Sequence, residues 1–150
     1  MIIPLMKQAA DESHAPVLLR YGAVWGPEGT SVFDARNATR TLLAQAGYPP
    51  HHRADHDARI VVSELVTNAL RDAPGPGGLL LEVLACTPAR LRITVRDSSR
   101  RSPRPRVPDP HRIGGHGLQL ISRICDTFHT TSLPDGKKIT AEIRLPAAAL

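Results

Sequence analysis

Aromatic side chains are scarce: one Trp, two Tyr and two Phe make up 3% of the 150 residues. The core must therefore rest on Leu, Val, Ile and Ala. Cysteine is nearly absent too. Cys86 and Cys125 stand alone without metal-ligand spacing, which leaves two free thiols, expected to be buried in a cytosolic protein. No apolar run approaches the ~20 residues of a membrane span. The opening MIIPLMK is too short for the apolar region of a signal peptide and follows no basic segment. The expectation is a soluble, cytoplasmic chain with no membrane contact. Lysine is rare, 3 against 16 Arg, a skew assigned to genome base composition rather than to function.

Several chemical signatures are missing. No G-x-S-x-G or Ser/His/Asp set occurs. His51, His52 and His56 cluster, yet no HExxH pattern or cysteine pair accompanies them, so a surface helix start is expected there rather than zinc. What is present suits one domain with one core: 150 residues, 41% of them hydrophobic. The net charge is +5, much of it between Arg96 and Arg112. Such a surface suits either solubility or an anionic partner.

The coarse reading starts with a loose segment over residues 1–15 and a strand over 16–25. GPEGTS makes a turn, and Ser31 or Thr30 caps a helix that ends at Gly47. A second helix spans about Ala54–Asp72 and is stopped by the Pro and Gly of residues 74–78. Strands follow over 79–87 and 90–97, joined by a hairpin turn at TPAR. In the second of them Leu91, Ile93 and Val95 alternate with polar residues, the mark of a sheet with one wet face. Residues 98–113 hold four Pro and five Arg and form a long loop. A Gly-rich turn then feeds a helix, and a last strand covers 137–146. The expected fold is an α/β two-layer sandwich, a mostly antiparallel sheet covered on one face by about three helices.

Four features bear on chemistry. On the second helix Glu64 and Asn68 are an i,i+4 pair at the edge of the stripe made by Val61, Val62, Leu65, Val66, Ala69 and Leu70. An amide oxygen there suits Mg²⁺, which takes few protein ligands, and a neighbouring carboxylate suits a general base. An ordinary polar helix edge is the plainer alternative. Asp97 ends a strand, where it can accept from a ligand amine or from its own turn. GGHGL, residues 114–118, lets backbone approach a phosphate at a helix start, or is simply a hinge. The loop arginines are either solvated or face an acidic partner or nucleic acid. The absence of aromatics in that loop argues against nucleic acid.

Taken in order, these features resemble the N, G1 and G2 boxes of the GHKL ATPase superfamily. VVSELVTNAL, ITVRDSS, GGHGLQLI and DGKKITAEI are most similar to its small branch, the anti-sigma-factor serine/threonine kinases. The resemblance spans about residues 18–146 and implies a Bergerat-type fold that binds ATP and Mg²⁺. It implies Glu64 as general base, Asn68 as Mg²⁺ ligand, and Asp97 as acceptor for the adenine amine. It also implies Gly115, His116, Gly117 and Leu118 beside the phosphates, with residues 98–113 as an ATP lid. The implied partners are a sigma factor and its anti-anti-sigma antagonist, and members of the branch commonly form homodimers.

The chain departs from the family pattern at three places. Asp72 stands where His is usual. Asp97-Ser98-Ser99 lacks the G1 glycines. Gly136-Lys137-Lys138 lacks a threonine near the nucleotide. These departures open the alternative of a non-catalytic regulatory module with weak or lost nucleotide binding.

Overall fold

The computed structural model describes residues 15–99 and 117–147. Strand β1, Val17–Trp25, comes first. Helix α1, Val32–Gln45, follows a turn closed by Gly29 N–H donating to Gly26 O. Ser31 is its N-cap, with Oγ accepting from the Asp34 amide at 3.3 Å, which satisfies an otherwise orphaned donor. Helix α2, Arg53–Asp72, is capped by His52, whose Nδ1 accepts from the Ala54 amide. That bond gives one member of the histidine cluster its purpose. Among the described residues no group of three His, Cys, Asp or Glu side chains could hold a metal ion.

Pro74 ends α2, and the chain turns into β2, Gly77–Leu84, then β3, Arg90–Asp97. The glycine at 77 is needed: a Cβ there would lie 2.5 Å from the Trp25 ring. After helix α3, Gly117–Ile124, come β4, Thr127–Leu133, and β5, Gly136–Arg144. The sheet order is β1-β2-β3-β5-β4 and every pairing is antiparallel. Strand β4 is an addition to the expected elements. Its residues TFHTTSL are mostly polar and exposed, so no alternating pattern marks them. It is an edge strand, and its polar face suits that place.

The helices cover one face of the sheet. Val61, Val62, Leu65 and Val66 of α2 are fully buried with Leu81, Leu91, Ile93 and Ala141 of the sheet. Each such Val or Leu contributes about 1.5–3 kcal/mol by leaving water. Tyr48, between α1 and α2, is buried and donates its hydroxyl to Pro146 O at 2.6 Å, so the chain end beyond β5 is tied to the helical layer.

The opposite face carries cross-strand charge. Glu82 sits on it yet is nearly covered, clasped by Arg20 at 3.1 Å and Arg92 at 3.0 Å. Arg90 pairs with Glu142 on the next strand. Among the described residues no helix is long and apolar enough to cross a membrane.

Candidate functional site

Helix α2 carries the first part of the site. At 100° per residue its buried stripe leaves Glu64 and Asn68 on one margin, and both are half-buried. Glu64 makes no hydrogen bond or ion pair among the described residues. A half-buried carboxylate without a partner is exposed to whatever ligand arrives. Asn68 Oδ1 accepts from Arg71 Nη2 at 2.7 Å, and Arg71 Nε lies 3.6 Å from Asp72 Oδ1. An amide oxygen has two lone pairs, so the Arg71 bond leaves one for a further donor or a metal.

Strand periodicity supplies the second part. In β3 residues 91, 93 and 95 are buried toward the helices, and Asp97 continues that phase. In β5 residues 137, 139, 141 and 143 are the buried series. Asp97 and Lys137 are direct partners in the β3–β5 ladder. Their side chains are only 4% and 5% exposed, and Lys137 Nζ lies 3.3 Å from Asp97 Oδ2. The other oxygen, Oδ1, accepts from the Ser99 amide at 2.8 Å. Asp97 thus makes both the turn bond open to any strand-end aspartate and a buried ion pair. Gly136 backs directly onto the Asp97 carbonyl, where a Cβ would collide with it.

A cavity of about 290 Å³ opens beside Asp97, lined also by Pro76, Gly77, Arg96, Ser98 and Asp135. Larger cavities lie elsewhere among the described residues. One of about 590 Å³ spreads over the open sheet face around Leu80, Thr94 and Thr140. Another, of about 790 Å³, sits between Leu18, Tyr48 and Pro88. Neither touches Glu64, Asn68 or Asp97, so size alone does not locate the chemistry.

Gly117 opens α3, and Leu118 follows it; Ile121 buries the same short helix in the core. Gly115 and His116 lie outside the described residues. So does the loop expected over 98–113, apart from Ser98 and Ser99. Ser98 donates its hydroxyl to Pro76 O at 2.8 Å, and Ser99 is buried. Lys137 is a neighbour of the site that no sequence motif marks. Its signal was available, because 137 is in phase with Ile139, Ala141 and Ile143.

The residues fit a metal–nucleotide ligand unevenly. The α2 margin offers a carboxylate without a partner among the described residues and an amide oxygen with capacity to spare, which suits Mg²⁺. The Asp97 end suits a base less well, because each carboxylate oxygen already carries one bond and the Lys137 ammonium counters its charge.

The two cysteines are free, and both are half-buried rather than buried. Desolvation, then the charges of Asp126 and Asp57, push the Cys125 thiol up to about 12. Thiolate is the reactive form. Alkylation of Cys125 at pH 8 is therefore expected to be slow and to accelerate as pH rises. Mass-mapped labelling checks this, and rapid complete labelling at pH 7 would contradict it.

The sequence pattern of the family described as "Histidine kinase-like ATPase domain" matches residues 27–143. Among solved structures, the histidine kinase domain of the blue-light activated histidine kinase of Erythrobacter litoralis EL346 is similar, at 25% sequence identity and a TM-score of 0.44. That likeness covers 61% of this chain and 44% of the other, so the chain spans less than half of the kinase's length. No curated protein matches the sequence.

Proposed function

The chain belongs to the histidine kinase-like ATPase domain family, and from that premise we propose that it is an ATP-binding regulator of the anti-sigma serine/threonine kinase type. It acts in the cytoplasm on a serine of a small antagonist protein and sequesters a sigma factor, by partner switching. The observation that carries the reading is Glu64: half-buried, free of partners among the described residues, and one helical turn from Asn68.

In this reading Glu64 would take the proton from the acceptor serine as its oxygen attacks the γ-phosphorus of ATP, the bond to the β,γ-bridging oxygen breaks, and ADP leaves. Asn68 would hold Mg²⁺ through its amide oxygen. Bound Mg²⁺ neutralises phosphate charge, which phosphoryl transfer requires. Arg71 donates to that same oxygen at 2.7 Å; its cationic guanidinium would give way to the metal and pair with a phosphate instead. Gly115, His116, Gly117 and Leu118 supply the backbone beside the phosphates.

A second reading has its own support. Asp97 is engaged by Lys137 and Ser99. Those bonds favour a regulatory module whose nucleotide is held weakly and not turned over.

One experiment separates the two. The chain is incubated with labelled ATP, Mg²⁺ and candidate antagonists, and nucleotide affinity is measured by calorimetry in parallel. Label on an antagonist serine supports the kinase. Binding without transfer to any candidate supports the module. No nucleotide binding at all sinks both.

A further inference from the structure

We infer that Lys137 sets how this site reads a nucleotide base: its ammonium holds Asp97 Oδ2 against the base amine, lowering affinity for adenine nucleotides and narrowing their advantage over guanine nucleotides. The inference rests on the reading of Asp97 as the base-contacting carboxylate.

Register makes the pairing compulsory. Strands β3 and β5 are antiparallel, and Asp97 and Lys137 face each other on the helix side of the sheet. Gly136 packs onto the Asp97 backbone, so the two strand ends cannot separate without losing that fit. The carboxylate is almost closed to solvent. Oδ1 takes the Ser99 amide at 2.8 Å and Oδ2 takes the ammonium at 3.3 Å.

A hydrogen bond from an ion is roughly twice as strong as one between neutral groups. The exocyclic amine of adenine is a neutral donor. To reach Oδ2 it must displace the ammonium or share an oxygen whose charge is already countered. Displacement also strips a buried cation of its partner, which is strongly unfavourable.

Guanine meets the same corner with the opposite polarity. It presents the O6 acceptor where adenine presents an amine. A lone carboxylate repels that oxygen, whereas the Lys137 ammonium can donate to it. One side chain therefore handicaps adenine and accommodates guanine.

The test uses the full chain and fluorescent ATP and GTP analogues with Mg²⁺, titrated against wild type, Lys137→Gln, and Asp97→Ala/Lys137→Gln. Glutamine keeps a neutral donor beside Asp97. Its ATP affinity is expected to rise roughly tenfold, the difference between a charged and a neutral hydrogen bond. GTP affinity is expected to stay level or fall, so the ATP/GTP ratio rises. The gain must vanish in the double variant, because it runs through the carboxylate.

Thermal melts check folding, and Lys137→Thr, with a hydroxyl donor, repeats the measurement if the glutamine variant melts early. Unchanged or weaker ATP binding at an unchanged ATP/GTP ratio overturns the inference, as does a gain that survives loss of Asp97. If no variant and no wild-type protein binds either nucleotide, the reading of an ATP site is what fails.

Discussion

In the kinase reading, Glu64→Gln is expected to slow phosphate transfer by roughly 10²–10⁴, the usual contribution of a general base, while leaving nucleotide affinity near that of wild type. Glu64 sits on the margin of α2, beside fully buried Leu65 and Val61, and has no partner among the described residues. Glutamine keeps its volume and its hydrogen-bonding oxygen but cannot take a proton. No ion pair is broken and no buried charge is stranded, so stability should change by no more than about 0.5 kcal/mol. The expected signature is a large loss of rate with an unchanged melting curve and unchanged binding. Initial-rate assays with the antagonist, set beside thermal melts, check it. A transfer rate close to wild type removes Glu64 from the chemistry and leaves it a polar helix edge.

The placement of the α2 half of the candidate site was legible because it is local. Helical period alone puts Glu64 and Asn68 on one margin of the Val61–Leu70 stripe, and the structure leaves both half-buried there. The layers were legible for a similar reason. Alternation in β3 and the proline stop after α2 act within a few residues, and they yield one sheet with helices on one face. What stayed hidden depends on contacts distant in sequence. Strand β4 owes its place to pairing with β5 and shows little pattern of its own.

The Asp97–Lys137 pair spans two strands separated by α3 and β4, and only their register reveals it. Phase alone could have flagged Lys137 as inward-facing, but not the partner that makes its burial tolerable. Glu82 is the same case on the open face. It lies on the sheet face away from the helices, yet Arg20 and Arg92, one strand away on either side, close over it. In both places an acid's environment is written by the strands beside it. The Asn68–Arg71 bond differs, since i,i+3 spacing displays it directly.

The helix that carries Glu64 and Asn68 is anchored at its other end by a buried charge, and disturbing it is expected to produce the largest loss of stability. Asp55 lies in the first turn of α2 and is completely buried. Arg59 Nε reaches its Oδ2 at 3.0 Å, with the arginine side chain 18% exposed. The acid-first i,i+4 order is the favourable one, and a carboxylate in the first turn also suits the helix dipole. Oδ1 is buried without a partner among the described residues, so the Arg59 bond is the principal compensation the charge receives.

Arg59→Ala strands that carboxylate and should destabilise the protein by about 3–5 kcal/mol. For a chain of this size the melting temperature should fall by roughly 6–20 °C. Asp55→Leu combined with Arg59→Met removes both charges and fills the space with apolar groups. It should recover most of the loss, since apolar replacement of a buried pair is often neutral or stabilising. Urea unfolding of the single and double variants checks both expectations. Nine residues of helix, ~13.5 Å at the standard rise, separate Asp55 from Glu64. Where the Arg59→Ala protein is still folded, its nucleotide affinity should therefore match wild type. A mild effect in Arg59→Ala, or a double variant no better than the single, would mean that Asp55 finds its compensation elsewhere.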